Sequence, residues 1–312
     1  KVGLSEDDSY YRIFRKVQVN SPGSGIHSAT HDYLRKFGFW KLKARLGSEG
    51  SGVGEFKSPY SISSHADQWF VTDSGNSRLQ IFSRFHLKYM GDVKLDVLQG
   101  AGGVCVKANG DVVIVNFSGE CLHVYKKDDS SLSKIGQYGN GDLQFSGPFG
   151  AAICQESGYI YVTDSCNHRV QVLDGDLKFQ FAFGSLGDGE GELEYPEGIR
   201  VTKNRDVIVS ERGNNRLSLF THDGEFIRHI GEGAPDGLSE PVGVASDNQN
   251  RIFVCDTGHN RVCIYSIDGI FIWASDSTGD SGQDYDFDAP TGICVDEDGN
   301  VAISSNHCVN IY

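Results

Sequence analysis

Four times along the chain an acidic residue stands five positions before an arginine: Asp73 and Arg78, Asp164 and Arg169, Glu211 and Arg216, Asp256 and Arg261. A carboxylate beside a guanidinium can be an acid/base dyad, or it can be an ion pair whose planar fork fixes a turn. Recurrence decides between these readings, because an active site is normally built once and a bracket as often as the unit it holds. The eight residues are therefore expected to be structural turn brackets. The ten histidines and eight cysteines raise a second chemistry, metal binding. No CxxC and no Cys/His cluster with ligand spacing occurs. His168, His259 and His307 fall in matching turns of different repeats, with no visible partner to orient them toward a metal. No metal, no cofactor and no catalytic residue are expected.

The elements that carry these residues are short and alternate in polarity. In residues 158–184, apolar runs at Tyr159–Thr163, Val170–Leu173 and Phe179–Phe183 are separated by polar turns. Period-2 alternation broken by Gly, Asn and Asp clusters predicts consecutive antiparallel strands joined by hairpins. The phrase recurs. Its turn anchors are Asp73, Asn116, Asp164, Glu211, Asp256 and Ser305, spaced 43, 48, 47, 45 and 49 residues apart. Pro59, Pro148, Pro196, Pro241 and Pro290 lead the copies, with Gly103 marking the degenerate second one. Six units of four strands at a period in the forties predict an all-β fold, a six-bladed β-propeller of four-stranded antiparallel blades. The sixth copy stops at Tyr312 after three strands, and strand 40–46 has no repeat before it. Strand 40–46 is expected to complete the last blade and close the ring.

Composition agrees with this reading. The 39 glycines and 7 prolines among 312 residues suit many short strands and tight turns. Residues 39–312 are read as the propeller. Residues 1–38 are read as an N-terminal flank or linker, with one possible strand at Tyr11–Val19 and a loop at Ser21–Gly25. No apolar run is long enough to span a bilayer, so a soluble piece of a longer chain is expected, with no membrane partner and no small-molecule substrate. Cys105 and Cys294 occupy matching slots, as small buried hydrophobes do, and reduced thiols point to a cytoplasmic setting. The net charge is −14. Residues 1–47 hold nine Lys/Arg against four Asp/Glu, leaving 19 against 38 in the rest. An acidic body disfavours broad binding to nucleic-acid phosphates while allowing a local basic or aromatic face.

The turn phrases Asp73-Ser-Gly-Asn-Ser-Arg78, Asp164-Ser-Cys-Asn-His-Arg169, Glu211-Arg-Gly-Asn-Asn-Arg216 and Asp256-Thr-Gly-His-Asn-Arg261, with the preceding Pro-x-Gly, resemble the NHL repeat. The resemblance covers about residues 40–312 and points to the propellers of TRIM-NHL and brain tumor-type proteins. The second copy departs with Asn116-Phe-Ser-Gly-Glu-Cys121 and the sixth with a shortened Ser305-Asn-His-Cys308, so these blades are expected to be looser or reshaped for a ligand. The resemblance implies a recognition domain rather than an enzyme. Any ubiquitin-ligase chemistry would reside in RING-type parts of a parent chain. Some NHL propellers are zinc-dependent lyases, but the scattered histidines and reduced thiols disfavour that class here.

The face expected to bind is the one onto which the loops before the inner strands and the bracketed turns open. It comprises Lys57, Tyr60, Phe117, Phe149, His168, Arg212, Asn214, Asn215, His259, Asn306 and His307. Aromatic rings there can stack on bases while Arg and Asn read edges or phosphates. The resemblance to RNA-binding members of the family makes single-stranded RNA, in a uridine-rich form, bound for post-transcriptional repression, the first expectation. The alternative is a protein-interaction platform that recruits partners or substrates to a ubiquitin ligase. Glu197 and Glu211, expected on the same side, weaken any attraction for phosphate.

Overall fold

A computed structural model describes residues 41–94, 100–275 and 287–312. The compact unit runs from Leu42 to Tyr312, and the flank with its expected strand at Tyr11–Val19 lies outside the described residues. Six four-stranded antiparallel sheets succeed one another along the chain. From innermost to outermost strand, blade 1 comprises Pro59–His65, Gln68–Asp73, Arg78–Ser83 and Tyr89–Lys94. Blade 2 comprises Ala101–Val106, Val112–Asn116, Cys121–Tyr125 and Leu132–Ile135. Blade 3 comprises Pro148–Ile153, Ile160–Asp164, Arg169–Leu173 and Phe179–Phe183. Blade 4 comprises Pro196–Val201, Val207–Glu211, Arg216–Phe220 and Phe226–Ile230. Blade 5 comprises Pro241–Ser246, Arg251–Asp256, Arg261–Ser266 and Phe271–Ala274. Blade 6 takes Pro290–Val295, Val301–Ser305 and Cys308–Ile311 from the end of the chain, and its outermost strand, Ala44–Leu46, from the beginning. The closing strand is antiparallel, with Ala44 opposite Ile311 and Leu46 opposite Val309. It is shorter than the 40–46 stretch expected.

The second strand of each blade is buried on both sides, because each blade packs between two neighbours. This explains why Val207-Ile208-Val209 and Ile252-Phe253-Val254-Cys255 read as unbroken apolar runs rather than alternating ones. The apolar clusters are shared between blades. One joins Tyr161, Val170 and Val172 of blade 3 to Val207, Val209 and Phe220 of blade 4. Another joins Trp69, Val71 and Phe82 of blade 1 to Cys294, Ala302, Val309 and Ile311 of blade 6, with Leu46 of the closing strand included.

The leading Pro, the turn acid and the arginine stand opposite one another, as in Pro148–Asp164–Arg169. In blade 2 the corresponding set is Ala101–Asn116–Cys121. Ala101 thus holds the proline slot, and Gly103 holds that of the glycine in Pro-x-Gly. That glycine has a packing cause. A Cβ on Gly150 would lie 2.3 Å from the Glu197 carbonyl oxygen, one on Gly198 2.1 Å from that of Val242, and one on Gly243 2.3 Å from that of Thr291. The innermost strands of adjacent blades approach too closely for any side chain. Hydroxyls of the second strands reach across the same seams: Thr163 Oγ1 donates to the Glu197 carbonyl at 2.7 Å and Thr72 Oγ1 to that of Gly102 at 2.9 Å. Together the six innermost strands enclose a channel of about 650 Å³.

Candidate recognition face

The brackets form as the repetition argument expects. Arg78, Arg169, Arg216 and Arg261 donate through Nε to Asp73, Asp164, Glu211 and Asp256 at 2.7, 2.8, 2.8 and 2.6 Å, and all four acids are fully buried. The remaining acceptor capacity is also used. Asp73 accepts from the Lys57 amide at 2.8 Å, Asp164 from Ser146 at 2.7 Å and Asp256 from Ser239 at 2.6 Å. The guanidinium ends hold carbonyls of the loop that leads into the blade: Gly52 and Glu55 for Arg78, Gly141 and Gln144 for Arg169, Pro235 and Gly237 for Arg261. Each bracket therefore clamps a glycine-rich loop against the end of its own sheet. Glu211, expected on the open face, belongs to this buried framework.

Several residues expected to meet a ligand are occupied here too. Asn214 donates to the Glu211 carboxylate at 2.6 Å and to the Gly187 carbonyl at 2.9 Å, and His259 stands in the same slot with Nδ1 3.0 Å from Asp256. His168 and Asn215 occupy the left-handed position that ends the turn, with φ of 55° and 53°. His168 Nδ1 accepts from the Tyr195 amide at 3.2 Å and Asn215 Oδ1 from the Glu240 amide at 2.8 Å. Tyr195 and Glu240 directly precede Pro196 and Pro241, so these side chains latch one blade to the next. Asn306 donates to Asp288 at 2.6 Å, while His307 Nε2 lies 3.8 Å from Glu49. The Lys57 side chain is exposed.

The other four converge at the upper mouth of the channel. The middle residue of each Pro-x-Gly, or its counterpart, lines this opening in five blades: Tyr60, Phe149, Glu197, Val242 and Thr291. The Tyr60 and Phe149 rings meet edge to face at 4.9 Å between centroids, and Phe117 stacks on Phe149 at 5.8 Å. The three half-buried rings thus turn toward one another. Glu197, 5% exposed, faces them. Arg212 lies 3.6 Å from Glu197 but 2.7 Å from Glu240, so its closer pairing is with the exposed partner. Burial pushes the Glu197 carboxyl up to about 7, outweighing the opposing Arg212 charge. Burial and the Glu197 charge likewise hold the Tyr60 hydroxyl well above the usual phenol range.

Two features of this face were missed in the sequence. Val53, Tyr138, Leu186 and Tyr195 are 71%, 73%, 62% and 45% exposed, all on loops leading into blades. A lone apolar residue inside a Gly/Asp/Glu-rich loop was the available signal. The loop before blade 4 also carries Asp188, Glu190, Glu192 and Glu194, and the loop before blade 5 carries Glu232, Asp236 and Glu240. Among the described loops and turns of this face, Lys57 and Arg212 are the basic residues outside the brackets. Among the described residues, no group of three or more His, Cys, Asp and Glu is placed to hold a metal ion.

The fold and turns define a six-bladed β-propeller that carries NHL repeats. The NHL repeat family model matches residues 145–173 and 238–265, and the chain is similar to proteins of TRIM-NHL type. It is 35% identical over 100 residues to Protein brain tumor of Drosophila melanogaster, a match covering 31% of this chain and 10% of that protein. It is 27% identical over 84 residues to the human E3 ubiquitin-protein ligase NHLRC1, covering 27% of this chain and 21% of that protein. Among solved structures, a streptogramin B lyase superposes with a TM-score of 0.64 at 15% identity, over 86% of this chain and 96% of the other. At that identity the likeness is one of fold alone. No helix among the described residues is long and apolar enough to cross a membrane.

Proposed function

We infer that this propeller is a recognition domain whose loop face docks a protein segment carrying basic side chains beside apolar anchors. One observation carries the reading: the loops leading into blades 4 and 5 concentrate carboxylates on a face that also exposes Val53, Tyr138, Leu186 and Tyr195. Opposite charge steers such a partner, and desolvated apolar contacts hold it. The same carboxylates repel a phosphate backbone. RNA recognition would need Tyr60, Phe117 and Phe149 for stacking and Arg212 for phosphates or base edges; the rings contact one another and Arg212 lies between two carboxylates. Relatives named as ubiquitin ligases suggest that the docked protein would be a partner or substrate delivered to such an assembly.

The test is fluorescence anisotropy of the 1–312 chain with Lys/Arg-rich peptides containing an aromatic anchor, and with uridine-rich single-stranded RNA, each at two salt concentrations. Peptide binding should weaken as salt rises, and should fall about tenfold or more in Glu190→Lys/Glu232→Lys. Saturable RNA binding that is lost in Tyr60→Ala/Phe149→Ala, with no peptide bound, would overturn the reading in favour of RNA.

A further inference from the structure

The channel contains a charge that the recognition face does not use. Arg200 lies on the innermost strand of blade 4, Pro196–Val201, three residues beyond Glu197, and lines the channel. Its Nε is buried with no hydrogen-bond partner. Among the described residues, no carboxylate pairs with it. Four acids lining the channel from other blades or the same one already have cations: Glu197 with Arg212, Glu156 with Arg205 at 3.6 Å, Asp296 with Arg84 at 3.4 Å and Asp247 with Arg251 at 2.6 Å. Glu297, which also lines the channel, and Lys203 are exposed. His65, on blade 1, is half-buried there.

Ser64 of blade 1 also lines the channel, its Oγ accepting from Cys294 Sγ at 3.5 Å, and the Arg200 charge opposes the rise that burial imposes on that thiol. Blades 4 and 1 thus bring a guanidinium and a hydroxyl to the channel wall. A buried N–H without a partner is costly, and the planar guanidinium fork is shaped for two oxygens of one anion. The enclosed volume of about 650 Å³ lies within the range of small-ligand sites.

We propose that the channel is a binding site for a small free oxyanion, a carboxylate or phosphate compound, held by Arg200 with hydroxyl support from Ser64. The site is separate from the loop face and stands or falls independently of the docking reading.

The experiment titrates the 1–312 chain with inorganic phosphate and, separately, with succinate, holding ionic strength constant with chloride. Calorimetry and the NMR signal of the Arg200 Nε–H group are read together, the signal being assigned by its loss in Arg200→Lys. Saturable binding of either anion is expected, with movement of the Arg200 signal and at least about a tenfold loss of affinity in Arg200→Met. The anion that moves the signal identifies the ligand class as phosphate-bearing or carboxylate-bearing. A signal unmoved by both anions up to about 10 mM, or binding retained in Arg200→Met, overturns the proposal. If Arg200→Met does not fold, the wild-type signal alone decides.

Discussion

Glu197 shows at single-residue scale how one repeat position comes to differ from its counterparts. Its counterparts are Tyr60, Gly102, Phe149, Val242 and Thr291, so no repeat rule places a carboxyl there. Its slot faces the channel mouth, where burial raises the carboxyl from an ordinary 4.5 to about 7. A carboxyl that holds its proton more tightly folded than unfolded stabilises the fold at low pH. That contribution is lost as pH rises from about 4.5 through about 7. Relative to Glu197→Gln, the wild-type protein should therefore lose roughly 2–3 kcal/mol of unfolding free energy between pH 5 and pH 8. Denaturant titrations of both proteins across that range check this, and a difference that stays flat with pH would refute it. Arg200 was equally illegible in the sequence. Strand alternation says which residues share a side, not which charges lack a partner after the ring closes.

At the scale of the blade, the turn and its leading loop form one unit, and most of it was readable. The acid, the arginine five residues later and the glycine-rich loop recur together, and in each of the four copies the acid and the arginine form an ion pair. Side chains tied to the next blade were not readable. His168 meets the Tyr195 amide and Asn215 the Glu240 amide, 27 and 25 residues further on. Only packing of neighbouring sheets reveals those links. The two divergent copies change as sets. Blade 2 has Asn116, Cys121 and His123 where blade 3 has Asp164, Arg169 and Gln171, so acid and base disappear together and neither is left unpaired. Removing one partner alone is a different matter. Asp164→Asn should cost about 3 kcal/mol, because Arg169 then lacks a counter-charge beneath its loop. The paired change Asp164→Asn/Arg169→Cys should cost clearly less than the sum of its single changes. Urea melts of the three variants test this; additive losses would mean that the pair is not the unit that holds the turn.

At the scale of the whole molecule, closure decides whether six blades behave as one body. Each blade buries its faces only against neighbours, so the ring is held by seams, and the seam between blades 6 and 1 depends on a strand from the far end of the chain. Ala44–Leu46 supplies three paired residues to the edge of Cys308–Ile311. The Lys43 amide adds a bond to the Ile311 carbonyl at 2.8 Å. Leu46 also enters the cluster that spans the two blades, with Phe56, Trp69, Phe82 and Val309. Removing residues 1–46 would bare the Cys308–Ile311 edge and reopen part of that cluster, whereas removing residues 1–40 would leave the closing strand in place. Fully burying one large apolar side chain is worth about 1.5–3 kcal/mol, and an unpaired edge invites association with another chain. The 47–312 chain should therefore unfold at a markedly lower denaturant concentration than the 41–312 chain, and should associate at concentrations where 41–312 remains monomeric. Chemical denaturation and sedimentation of the two chains measure both effects. Equal stability and equal mass would show that the ring holds without its closing strand, leaving the inter-blade latches and the inner-strand seams to keep blade 1 against blade 6.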